Sequence, residues 1–149
     1  MNGEINMSML SVEKIKVHAP VKTKEEAIKL VGQMLVDAGH VPANYIEKML
    51  ERELLVSTDL GGGLAMPHGT NEAKSLIIST GLSIITVPEG IDFGGDEPVR
   101  LIIGLAAIGD DHMDILTNVA MLVSEEEEME RIISSTDPNQ LLEIFNGGM

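Results

Sequence analysis

Two short segments hold the residues best suited to chemistry. The first is Gly61-Gly-Gly-Leu-Ala-Met-Pro-His-Gly-Thr70. Glycine on either side of His68 lets the backbone approach a ligand and leaves room around the imidazole. Pro67 fixes the entry to the turn, and Gly69 has no side chain to shield its N–H. A histidine presented this way exposes one nitrogen while its surroundings hold the other. That is what a nucleophilic imidazole needs. The same residues also describe a histidine that only decorates a glycine-rich turn. The segment lacks the glycine-lysine-serine/threonine ending of a nucleotide P-loop, and its spacing does not fit a dinucleotide fingerprint.

The second segment is Gly109-Asp-Asp-His-Met-Asp114, between an apolar run and a helical pattern. The carboxyl end of a buried strand is where α/β domains bind ligands. The acids read as ordinary helix caps. His112 should stay neutral there, because a helix N-terminus disfavours a cation. A neutral imidazole can donate a hydrogen bond to phosphate without adding charge, or simply be a polar helix-start residue. Arg52, in Leu50-Glu-Arg-Glu-Leu54, is a third candidate. It is either solvated between its two acids or turned toward an anion, whose oxygens its planar fork binds in pairs. His18 and His40 read as surface residues.

These residues need a scaffold, and the pattern supplies one. Leu10 to Val17 alternates apolar and charged residues, as an edge strand does. Thr23-Lys-Glu-Glu26 is a capping box before an apolar face of Ala27, Ile28, Val31 and Leu35, with a stop at Gly39. Asn44 to Glu47 opens a second helix, whose face continues through Ile46, Met49, Leu50 and Leu54. An amphipathic piece runs from His112 to Val123. Ser124 to Glu127 opens another helix, with Met129, Ile132 and Ile133 inward. Its run of acids suits a helix dipole rather than a bound cation. The last helix opens at Asp137, with Pro138 in the first helical position and Gly147 past its end. Strands are expected at Leu64–Met66, Leu76–Ser79, Leu82–Val87 and Arg100–Ala107. The last is apolar on both faces, so helices should cover both sides of the sheet. The expected fold is α/β: residues 1–149 as a single domain, a mixed β-sheet flanked by helices on both faces, with residues 1–9 a loose lead-in.

Composition narrows the function classes. One domain of 149 residues, 44% of them hydrophobic, can bury a core, but with one Tyr, two Phe and no Trp that core is aliphatic and rich in the ten Met. Twenty-four acids against ten bases give a net charge of −14, a poor match for nucleic acid or anionic lipid. No cysteine is present, so disulfides, thiolate nucleophiles and cysteine-held metals are excluded. The first residues have neither the basic start nor the apolar stretch of a signal peptide, and no run of about 18 apolar residues could span a membrane. A cytoplasmic protein is expected.

Taken in order, Leu50-Glu-Arg-Glu-Leu54, Ala65-Met-Pro-His-Gly-Thr-Asn-Glu-Ala-Lys74, Pro88-Glu-Gly-Ile-Asp-Phe93, Val99 to Ala107 and Asp111-His112 resemble one family. It is the enzyme IIA domains of the mannitol–fructose class of the phosphoenolpyruvate-dependent sugar phosphotransferase system, type 2. The Thr-x-Glu-Ala-Lys extension and the second histidine look like its mannitol branch. The resemblance implies that His68 is the phosphorylated residue, His112 the second active-site histidine and Arg52 the active-site arginine. It implies a phosphocarrier fed by the histidine-containing phosphocarrier protein. The chain itself would then deliver phosphate to a cysteine of enzyme IIB, as the membrane enzyme IIC of a mannitol-type permease imports the sugar. The chain would be a free-standing IIA subunit. Neither metal nor cofactor is implied, because both donor and acceptor are proteins. Backbone N–H groups near the glycine-rich turn would join His112 and Arg52 around the phosphoryl oxygens. The alternatives are a regulatory phosphorylation-sensing module of the same family and a metal-dependent hydrolase, which the missing metal-ligand spacing disfavours.

Overall fold

A computed structural model describes residues 9–147. A five-stranded mixed sheet is ordered β1-β4-β5-β3-β2. The strands are β1 (Ile15–Lys16), β2 (Asp59–Gly61), β3 (Leu64–Ala65), β4 (Gly81–Ile91) and β5 (Val99–Ala106). β4 and β5 are antiparallel and form the spine, whereas β3 runs parallel to β5 and β1 parallel to β4.

Alternation along β4 and β5 sorts their side chains into two cores. Leu82, Ile84, Leu101, Ile103 and Leu105 point to one face, which is covered by α3 (Asp111–Leu122), α4 (Glu126–Ser134) and α5 (Pro138–Gly147). Ile85, Val87, Ile102 and Ala106 point to the other, under α1 (Lys24–Asp37) and α2 (Tyr45–Leu55). Helices therefore cover both faces, as the doubly apolar β5 run implies.

Several local signals act as expected. The capping box at Thr23 forms in full, its hydroxyl accepting from Glu26 N–H while Glu26 returns to the Thr23 N–H. Gly39 follows α1 at φ +82°. α4 buries Met129, Ile132 and Ile133.

Other expectations are corrected. Within Leu10–Val17 only Ile15 and Lys16 form a strand, because Val12–Lys14 is a 3-10 turn that drives Lys14 inward. That strand does lie on a sheet edge. Leu76–Ser79 is not a strand. A 3-10 helix over Asn71–Leu76 leads into a loop whose Ile78 and Ser79 N–H groups both donate to His40 O. The inward face of α2 is Tyr45, Met49 and Glu53, and Leu54 is 84% exposed. Glu53 turns in because its carboxylate accepts from both the N–H and the hydroxyl of Thr58. α5 runs through Gly147 rather than stopping before it. The lead-in expected over residues 1–9 lies, apart from Met9, outside the described residues, and Met9 itself is buried in the core.

Candidate active site

β3 and β5 are parallel neighbours, so their carboxyl ends open at the same edge of the sheet. His68 follows β3 by three residues, and His112 opens α3 just after β5. The two imidazoles meet there edge to face, their centroids 4.7 Å apart and their planes at 82°. Arg52 reaches the same cleft from α2. The cleft has a volume of about 680 Å³ and is also lined by Tyr45, Asn71, Lys74, Asp110 and Asp114. The three candidates named from sequence thus converge, although 16 and 44 residues separate Arg52 and His112 from His68.

The His68 loop is held on several sides. Met66 N–H donates to Thr58 O, and Leu105 N–H donates to Pro67 O. The His68 Nδ1–H donates to Met66 O at 2.8 Å. A carbonyl oxygen can only accept, so Nδ1 carries the proton and the lone pair lies on Nε2. Gly69 does not serve as expected. Its φ is not in the left-handed region, and its N–H is engaged by the Tyr45 hydroxyl at 2.9 Å. A Cβ at residue 69 would meet the Tyr45 ring at 2.7 Å. Glycine is required there by the tyrosine, not by the backbone.

The triglycine is also displaced from the site. Gly61, Gly62 and Gly63 all have positive φ and close the tight β2–β3 hairpin, at the end of β3 remote from His68. None of them lines the histidine cleft, so their N–H groups are not phosphoryl donors.

Electrostatics keeps both imidazoles neutral. Burial is the main reason that His68 resists protonation, with Arg52 and Lys74 adding to it and the Met66 carbonyl and Glu53 opposing it. His112 is pushed down to about 4, by burial first and then by His68, Lys74 and Arg52. The acids around His112 are not simple caps. Asp110 makes no side-chain cap bond, and Asp111 accepts from Thr80 Oγ1, which in turn accepts from Ile108 N–H. This tie fixes the turn that presents His112. The guanidinium of half-buried Arg52 donates to Val56 O, capping its own helix at the rim of the cleft.

Tyr45 and Lys74 escaped the reading of candidate residues. Lys74 lay within the extension that carried the family resemblance and was the signal to follow. Tyr45 is the single tyrosine of the chain, which by itself says nothing of its place. His40, read as a surface residue, is 4% exposed. Its Nε2 accepts from Lys14 Nζ at 2.6 Å, and its Nδ1 bonds Ser79 Oγ at 2.8 Å. His18 is exposed, as expected. Among the described residues no three His, Cys, Asp or Glu side chains are grouped to hold a metal ion, and no helix is long and apolar enough to cross a membrane.

Comparison with known proteins agrees with this arrangement. Residues 8–147 match the family described as phosphoenolpyruvate-dependent sugar phosphotransferase system, EIIA 2. The mannitol-specific phosphotransferase enzyme IIA component of Bacillus subtilis is 47% identical over 140 residues, covering 94% of this chain and 98% of the relative. That of Geobacillus stearothermophilus is 44% identical over 142 residues, covering 95% and 98%. Among solved structures, the complex of enzyme IIAMTL and phosphorylated enzyme IIBMTL from Escherichia coli matches with a TM-score of 0.87 at 38% identity, covering 93% of this chain and 97% of that one. The expected resemblance to the mannitol type holds. The chain belongs to the EIIA type 2 family of the phosphoenolpyruvate-dependent sugar phosphotransferase system and is a phosphotransferase component.

Proposed function

We propose that this chain is a cytoplasmic, mannitol-specific phosphocarrier that receives a phosphoryl group on His68 Nε2 from the histidine-containing phosphocarrier protein. It then passes the group to a cysteine of enzyme IIB, which serves the enzyme IIC permease. The observation that carries the reading is the His68 ring itself. Its Nδ1–H is fixed on Met66 O, so a lone pair is left on Nε2 of a neutral imidazole beside His112. The relatives named mannitol-specific supply the sugar, and the complex with phosphorylated enzyme IIB supplies the acceptor.

In the first step the Nε2 lone pair attacks phosphorus as the nitrogen–phosphorus bond of the carrier breaks. The Nδ1 proton stays in place and balances the new bond. In the second step a cysteine thiolate attacks, the bond to Nε2 breaks, and His68 returns to its neutral form. The transition state of such transfers is loose, with charge spread over three equatorial oxygens. A neutral His112 can donate a hydrogen bond to them, and Arg52 and Lys74 add positive charge at the cleft. With His112 neutral, positive charge at the cleft is limited to Arg52 and Lys74, which suits a relay that must release its phosphate.

The test is transfer in both directions. Phosphorylated carrier protein should label this chain with one acid-labile, base-stable phosphate, and a mannitol-type enzyme IIB should remove it. An acid-stable phosphate would sink the histidine assignment. Labelling without onward transfer to any enzyme IIB would favour the regulatory module.

A further inference from the structure

The ties that hold the His68 loop are unequal in kind. On the side before His68 they are backbone to backbone: Met66 N–H to Thr58 O, and Leu105 N–H to Pro67 O. On the side after it, the Gly69 N–H is held by a side chain, the Tyr45 hydroxyl. The same hydroxyl lies 3.4 Å from Leu105 O, toward which it can donate. Leu105 therefore holds the loop through both of its polar groups, directly at Pro67 and through Tyr45 at Gly69. The Tyr45 ring completes the fit, filling the volume that a Cβ of residue 69 would need. Tyr45 is 2% exposed and starts α2, the helix that also carries Arg52.

The geometry points to Tyr45 as the positioning residue that sets the aim of His68. By fixing the Gly69 peptide, it stops the loop from turning about His68 and holds Nε2 toward the cleft. A nucleophile misplaced by about 1 Å can lose about a hundredfold in rate. Tyr45 does not contribute to the chemistry and, being buried, does not contribute to docking. It acts through the peptide bond next to the nucleophile, in one helix layer with Arg52. Two groups that must surround one phosphoryl are thereby referenced to the same helix. This inference rests on His68 being the phosphoryl acceptor.

Tyr45→Phe keeps the ring and removes the hydroxyl. The rate of His68 phosphorylation at saturating carrier should fall about tenfold, while the KM for the carrier and the final phosphate stoichiometry stay at wild-type values. A merely structural role would instead lower the stoichiometry and leave the rate per folded molecule intact, and that result would overturn the proposal. Nitrogen-15 spectra of the imidazoles give a readout that needs no phosphorylation. Wild-type His68 should show a single Nδ1–H tautomer, and Tyr45→Phe should show exchange broadening or a tautomer mixture at His68 but not at His40. Unchanged His68 signals would overturn the proposal. Should the variant fail to fold, the wild-type chain still decides, because a Gly69 amide held by a buried hydroxyl should exchange slowly with solvent. Fast Gly69 exchange would refute the clamp. Absence of any phosphate on wild-type His68 would refute the functional reading, whereas these spectra test the clamp alone.

Discussion

His40 and His68 are the same side chain in two settings. His40 is buried and His68 half-buried, and for both, burial is the main force that keeps the ring neutral. Their nitrogens differ. His40 engages both, accepting from Lys14 Nζ and bonding Ser79 Oγ, and its ring packs where a Cβ of Gly81 would sit, 2.3 Å away. His68 engages one, on Met66 O, and leaves the other as a lone pair at a cleft. A depressed proton affinity is therefore not the mark of function here. On the proposed function, what would set His68 apart as a phosphoryl acceptor from His40 as a structural brace is a nitrogen left unpaired where a partner can reach it.

Substitutions should split along this line, beginning with the largest effect. His68→Gln should abolish phosphorylation by the carrier protein while leaving thermal unfolding close to wild type; label remaining in this variant would remove His68 from the centre of the account. His112→Gln should slow onward transfer to enzyme IIB by about a hundredfold, the scale of losing one donor to a transition-state oxygen. Single-turnover kinetics would show this, and a wild-type rate would reduce His112 to scaffolding. His40→Ala should do the reverse of His68→Gln. It leaves Lys14 Nζ with one fewer partner and should cost about 1–3 kcal/mol of stability, seen in denaturant unfolding, with phosphorylation per folded molecule unchanged. A loss of transfer without a loss of stability would erase the contrast.

The pH response is the smallest effect. Folded His40, His68 and His112 bind a proton less readily than an unfolded histidine, whose pKa is about 6.5. The unfolded chain therefore holds more protons below that value. Their contribution to stability is full above about pH 6.5 and is lost as pH falls through the folded values, about 4 for His112. By the same sign, phosphoryl acceptance should persist below about pH 6.5. A rate profile with its inflection at or above that value would contradict a neutral, desolvated nucleophile.

Much of this was legible from residues that act locally. The Thr23 box needs only Glu26, three residues on, and it forms as written. The β5 run announces a strand buried on both faces. The His68 turn showed itself because proline and glycine flank it. What was not legible depends on distant contacts. Nothing near His40 in sequence reveals that Lys14, 26 residues earlier, turns inward to meet it. Nothing at Gly69 shows that a tyrosine 24 residues away takes both its N–H and its side-chain space. Leu76–Ser79 has strand-forming residues, yet the His40 carbonyl claims the N–H groups that a ladder would use. In each case a tertiary partner outweighed a local preference. The Gly61–Gly63 run closes the β2–β3 hairpin instead of flanking the histidine cleft, a placement set by the pairing of β2 with β3.

The most direct test is to locate the phosphate within the ring. The chain, labelled with nitrogen-15 and phosphorylated by its carrier, should show one phosphohistidine, at His68, with phosphorus on Nε2 and the proton still on Nδ1. Phosphate on Nδ1, or on His40, His18 or His112, would contradict the claim that the Met66 carbonyl and the open cleft select a single nitrogen of a single histidine.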